Sequence, residues 1–239
     1  MKSIVSPDVP SQDGRLGRAR GSFLAPVVVL VFWAMVAALW AGWTTDHTRQ
    51  VFREDGGVEV ATVMLYIVAA ILLAIPKLCR HLPPLSRIAL LLLMIGAAAR
   101  EMDFHKLVGD YSVFKVGFYL KSDIPIFHRL IAFCGVAAIF GSGLYIAVRH
   151  ARDGWRALRS GEPWAWTVGT MIAAGAISKI ADRSVDVLSS ALGVTFSQSS
   201  IALIQAFEES TELLLPALVI LAILQAARRR EAAVRPAAE

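Results

Sequence analysis

Residues 201–227 read IALIQAFEESTELLLPALVILAILQAA. The stretch is long enough to cross a bilayer, which takes about 20 mostly apolar residues. Yet it holds Glu208, Glu209 and Glu212, with Pro216 one turn further on. A charged side chain at mid-bilayer costs about 2.5–3.5 kcal/mol on insertion scales. Three glutamates in one span must therefore be paired, protonated, bound to metal or facing water. Helical rise puts Glu212 roughly 16 Å below Ile201, close to the midplane. Glu208 and Glu212 share a face, while Glu209 points about 100° away.

Five further apolar runs lie upstream, and with Ile201–Ala227 they predict an all-α, polytopic bundle of six transmembrane helices over residues 23–227. They are Phe23–Trp43, Val58–Pro76, Ile88–Phe104, Leu130–Val148 and Trp164–Asp182. Composition agrees. Of 239 residues 56% are hydrophobic and only 18% charged, with a mean hydropathy of +0.58. A soluble domain carries about 25% charge. Residues 1–22 and 228–239 read as disordered cytoplasmic tails. The first run spans 21 residues and carries Trp40 and Trp43 near its end. It is too long and too bulky there for a cleaved signal peptide. Cys79 lies in a short loop and Cys134 in an apolar run, toward opposite faces and without CxxC spacing, so neither a disulfide nor a metal role is expected.

The net charge of +5 reads as basic cytoplasmic loops facing anionic lipid, not as a nucleic-acid footprint. The two tails and the loops Lys77–Arg87 and Arg149–Pro163 together hold 15 of the 24 Lys and Arg residues. That bias places both termini in the cytoplasm, as an even number of spans also requires. Acids do the reverse, with 13 of the 19 toward the outer face.

Those acids collect at four helix ends. Helix 2 opens with Glu59; helix 3 ends with Arg100, Glu101, Asp103, His105 and Lys106; helix 5 ends with Lys179, Asp182, Arg183 and Asp186; helix 6 carries the three glutamates. On helix 3, Arg100 and Asp103 share one face and Glu101 and His105 the next. Carboxylates from three helices are thus expected to converge on a pocket open to the periplasmic side, balanced by Arg100, Lys179 and Arg183. Plainer readings stand beside this one. Glu59 suits a helix N-terminus, Asp182 with Arg183 forms an interfacial pair, and His105 and His128 are solvated. The segment Val113–His128 mixes Phe, Tyr, Lys115 and Lys121, as a stretch in the headgroup zone would.

The pieces Gly56-Gly57-Val58-Glu59, Arg100-Glu101-Met102-Asp103-Phe104-His105, Gly117-Phe118-Tyr119 and Phe207–Glu212 resemble a family of bacterial six-span inner-membrane proteins of unassigned activity. The likeness covers most of residues 50–220 and implies six spans. A looser analogy runs to membrane hydrolases of the ceramidase and adiponectin-receptor type, which gather a metal near one leaflet, although this chain has no HxxxH pair.

Three functions stay open. One is a hydrolase or transferase of a lipid, a lipid-linked or a small anionic substrate. Its catalytic residues would come from Glu59, Arg100, Glu101, Asp103, Lys179, Asp182, Arg183, Glu208 and Glu212. A divalent metal ion would sit on Glu59, Asp103, His105, Glu208 and Glu212. The second is a proton- or cation-coupled carrier, and the third a scaffold or assembly factor. A homodimer would enlarge the bundle. A carrier needs polar groups crossing the inner leaflet, whereas an enzyme needs one mouth.

Overall fold

A computed structural model describes residues 21–53, 56–80, 82–104, 112–120 and 124–234, with side chains up to residue 229. Those residues are helical, with no strand among them. The helices are α1 Leu24–Gly42, α2 Thr45–Val51, α3 Gly57–Ala74, α4 Pro84–Glu101, α5 Val116–Leu120, α6 Ile126–Arg159, α7 Pro163–Leu192 and α8 Gln198–Val234.

Local chemistry sets the ends. The Thr44 side chain caps α2 by accepting from the His47 amide at 3.3 Å. Proline opens α4 and α7, where its missing N–H costs nothing. Gly193 closes α7 at φ 63°, the left-handed geometry that favours glycine.

The long helices run up and down. α3, α4, α6, α7 and α8 form a closed ring in which each packs on its two neighbours. α1 lies outside the ring against α7 and α8, and α2 folds over α8. Two apolar clusters hold the ring. Tyr66, Ala69, Leu73, Met94 and Ile223 join α3, α4 and α8. Ala25, Val29, Ala174, Leu214 and Leu218 join α1, α7 and α8. Outside, apolar side chains stand bare, among them Val31, Ile71, Ile95, Phe140 and Leu144. In water so much exposed apolar surface would drive association; against lipid it is the expected outer coat.

Four helices are long and apolar enough to cross a membrane, namely α1, α3, α6 and α8 up to Arg229. α4 and α7 fall short of that description although they complete the ring beside α3, α6 and α8. α4 carries Arg87, Arg100 and Glu101, and Thr, Ser, Gly and Lys179 dilute α7.

The helices also overrun their expected limits. The expected loop Arg149–Pro163 is mostly helix, because α6 continues to Arg159 before a tight turn into α7. α7 runs ten residues beyond Asp182. The expected disordered tail 228–239 is helical as far as Val234. Ala, Arg, Leu and Glu continue a helix readily once it has formed. Residues 1–20 and 235–239 lie outside the described residues.

Candidate functional site

The glutamates of α8 meet cations from two other helices. Glu212 Oε1 accepts from Arg100 of α4 at 3.0 Å and from Lys179 Nζ of α7 at 2.8 Å. The same Lys179 donates to Glu208 Oε1 at 2.6 Å, so the ammonium bridges the two glutamates that share a face. Glu101, next to Arg100, has 9% side-chain exposure, and its nearest cation among the described residues is Arg100 at 4.0 Å. It lies within electrostatic range of Glu212, Glu59 and Lys179. Asp182 stands in the same relation to Glu208. Arg100 and Lys179 are each about half exposed, at 49% and 47%, so the cluster is open to one side.

Backbone geometry explains the convergence. Lys179 and Asp182 lie three apart on α7, and Glu208 and Glu212 four apart on α8, so each helix presents a stripe to its antiparallel neighbour. α4 stops at Glu101, which delivers Arg100 and Glu101 at the same level. Trp33 Nε1 of α1 donates to Thr211 Oγ1 at 3.0 Å, and its ring packs on Phe207. These contacts fix the rotation of α8 on the side away from the ion pairs.

Of the expected site residues, Arg100, Glu101, Lys179, Asp182, Glu208 and Glu212 come together, with Glu59 half-buried at their edge in the first turn of α3. Arg183 and Asp186 are exposed on α7. Asp103 does not share a helical face with Arg100 as expected. The chain leaves the helix after Glu101, and Asp103 takes a left-handed conformation at φ 53°. His105, Lys106 and Lys121 lie outside the described residues. His128 and Lys115 are exposed. Phe118 of the headgroup-zone segment is fully buried, and the Tyr119 hydroxyl donates to the Val113 carbonyl at 2.8 Å.

The proposed metal set does not assemble among the described residues, where no three His, Cys, Asp or Glu side chains lie close enough to hold an ion. Glu208 and Glu212 each spend an oxygen on Lys179 instead. The donors present fit ammonium and guanidinium partners better than a shared cation.

Several members were not legible as site residues. Tyr66, buried in α3, lies within electrostatic range of Glu101, Glu212 and Arg100. A lone tyrosine in the run Val58–Pro76 was the available signal. At the other end of α7 and α8 a second polar layer appears. Glu162, 5% exposed, accepts from Arg229 at 2.9 Å, and the Thr167 hydroxyl donates to Gln225 at 2.7 Å. Nearby in that half of the molecule, the fully buried Ser86 hydroxyl lies 2.8 Å from His150 Nε2 and 3.3 Å from the Tyr145 hydroxyl. Lys179 follows Glu162 by 17 residues and Arg229 follows Glu212 by 17, which is about 26 Å along either axis. Between the layers, Ala174, Leu214 and Leu218 pack with Val29 into an apolar plug.

No protein-family model, curated protein or solved structure matches this chain.

Proposed function

We propose that the chain is a six-span bacterial inner-membrane protein with both termini cytoplasmic, and that its cation–carboxylate cluster is the active site of a hydrolase or transferase acting on a lipid or lipid-linked substrate. α4 and α7 count as spans in this reading because they complete the ring and keep their charges toward its interior or ends. A hydrocarbon core about 30 Å thick then puts the two polar layers, about 26 Å apart, toward opposite boundaries.

The observation that carries the reading is Glu101, a carboxylate almost shut off from solvent whose nearest cation among the described residues stands 4.0 Å away. A desolvated carboxylate beside two cations is poised to move protons. Glu212 holds Arg100 and Lys179 in place, and each cation keeps an exposed side. In the proposed step Glu101 takes a proton from a water molecule, whose oxygen attacks the ester or phosphoester centre. Arg100 and Lys179 stabilise the charge that develops on the substrate oxygen. The bond to the leaving oxygen breaks, and Glu101 returns the proton to it. A transferase would place an acceptor hydroxyl where water stands. The helices carry no charged side chain between the two polar layers, which favours one mouth over a path through the membrane, and so an enzyme over a carrier.

The test is the purified protein in vesicles of phosphatidylethanolamine, phosphatidylglycerol and cardiolipin, with lipid products followed by mass spectrometry. The wild type is expected to convert a lipid, and Glu101→Gln to slow conversion by about 10²–10⁴-fold. Unchanged lipids with the wild type, or equal rates for both proteins, overturn the proposal. Proton flux into the same vesicles that depends on Glu101 without any lipid product would make the protein a carrier.

A further inference from the structure

Next to the cluster, α3 and α4 leave an apolar groove of about 430 Å³ between them, lined by Tyr66, Ala70, Ala74, Ala98, Met102 and Phe104 among others. Ala70, Ala74, Ala98 and Ala99 are among its lining residues, and their small side chains leave the space that larger ones would fill. Its upper end is formed by Tyr66, within electrostatic range of Glu101, Glu212 and Arg100, and by Met102, the residue next to Glu101. From there the groove descends to Ala74 on α3 and to Met94 on α4, eight residues below Tyr66 and Met102 respectively. That is about 12 Å toward the opposite face.

We infer that this groove seats an acyl chain of an outer-leaflet phospholipid with an amine-bearing, zwitterionic headgroup, the headgroup resting on the ionic cluster. The inference builds on the proposed function and narrows its substrate. Three features carry it. The groove is the size of an ordinary ligand pocket and its walls are apolar. It runs down from the charged layer in the direction that a lipid of that leaflet extends its chain. The cluster it leads to carries Glu101, Asp182, Glu208 and Glu212 against Arg100 and Lys179. That balance disfavours a purely anionic headgroup. It suits one whose phosphate meets the exposed side of Arg100 while its ammonium meets carboxylates.

The experiment measures binding, not turnover. The full chain in lipid nanodiscs is irradiated with photoreactive phosphatidylethanolamine or phosphatidylglycerol carrying the same diazirine acyl chain, and labelled peptides are mapped. Labelling is expected to concentrate on residues 66–74 and 94–104 and to be several-fold stronger for phosphatidylethanolamine. Ala70→Phe and Ala98→Phe fill the groove and are expected to cut that labelling several-fold, while Phe140→Leu on the outer coat of α6 leaves it unchanged. The mapping on the wild type stands even if a filled variant fails to fold. Even labelling of all exposed helices overturns the groove assignment, and equal or stronger labelling by phosphatidylglycerol overturns the headgroup assignment. Groove labelling that persists in Glu101→Gln, with no lipid turnover by the wild type, retains the lipid site and rejects only the enzymatic reading.

Discussion

Glu212 is the residue on which the ion-pair network turns, since among the described residues it alone contacts cations from both α4 and α7. Removing its charge leaves Lys179 with Glu208 and, among the described residues, leaves Arg100 with the more distant Glu101. Glu212→Leu is expected to lower stability by about 1–3 kcal/mol, read from denaturant or thermal unfolding in detergent. Glu212→Gln, which keeps the shape and can still accept a hydrogen bond, is expected to cost less than half as much. Equal losses would mean that packing and not charge sets the value. Cys79 offers a second test at this scale. It is buried in the turn between α3 and α4, and burial pushes its thiol up against a smaller opposing pull from Arg87. A raised thiol holds less thiolate at a given pH and reacts more slowly. Maleimide in detergent at pH 8 is expected to label the exposed Cys134 well ahead of Cys79, and Cys79 labelling is expected to climb only as the pH rises past the ordinary thiol range. Equal rates at pH 8 would refute this.

At the scale of elements, the α7–α8 pair is clamped twice, by ions at one level and again about 26 Å away. The second clamp explains why α8 stays helical where a frayed tail was expected. Arg229 is held by Glu162 in the α6–α7 turn, and that turn is tied to the start of α1 by the Ser22 hydroxyl donating to the Gly161 carbonyl at 2.6 Å. Arg229→Ala strands the Glu162 carboxylate in a site with 5% exposure. Amide exchange over residues 222–234 is expected to accelerate by about tenfold or more, as a loss of about 1.4 kcal/mol would produce, while exchange in α3 and α4 stays unchanged. No change in the last turns of α8 would show that its end is held by propensity alone. Pro216 acts at the same scale. It cannot donate to the carbonyl four residues back, which belongs to Glu212, so the helix is loosened at the level of the cluster.

Across the whole molecule, polarity is distributed in layers, with an ionic layer toward one end of the bundle, an apolar plug, and a smaller polar layer toward the other. In the proposed six-span arrangement, basic tails and loops on one side put the ionic layer outside. Reporter fusions test this directly. Fusion after Val234 is expected to give cytoplasmic activity, and insertion between residues 105 and 111 is expected to give periplasmic activity. A C-terminal reporter active in the periplasm would mean an odd number of crossings, which α4 or α7 failing to span would produce.

The apolar runs, and hence an all-α protein with membrane-length helices, could be read from the chain because hydrophobicity over about 20 residues is a local property. So could the acidic stripes, since i, i+3 and i, i+4 spacing fixes which side chains share a face. What those faces meet was not local. That Lys179 reaches both Glu208 and Glu212, and that Arg100 reaches Glu212 across 112 positions of chain, depends on which helices neighbour each other and at what height. The left-handed turn at Asp103, the clamp at Glu162 and the groove beside Tyr66 likewise arise only when the ring closes. A short α4 has to end where the longer α7 and α8 are still running, and small side chains on α3 and α4 leave a gap that no spacing rule reveals.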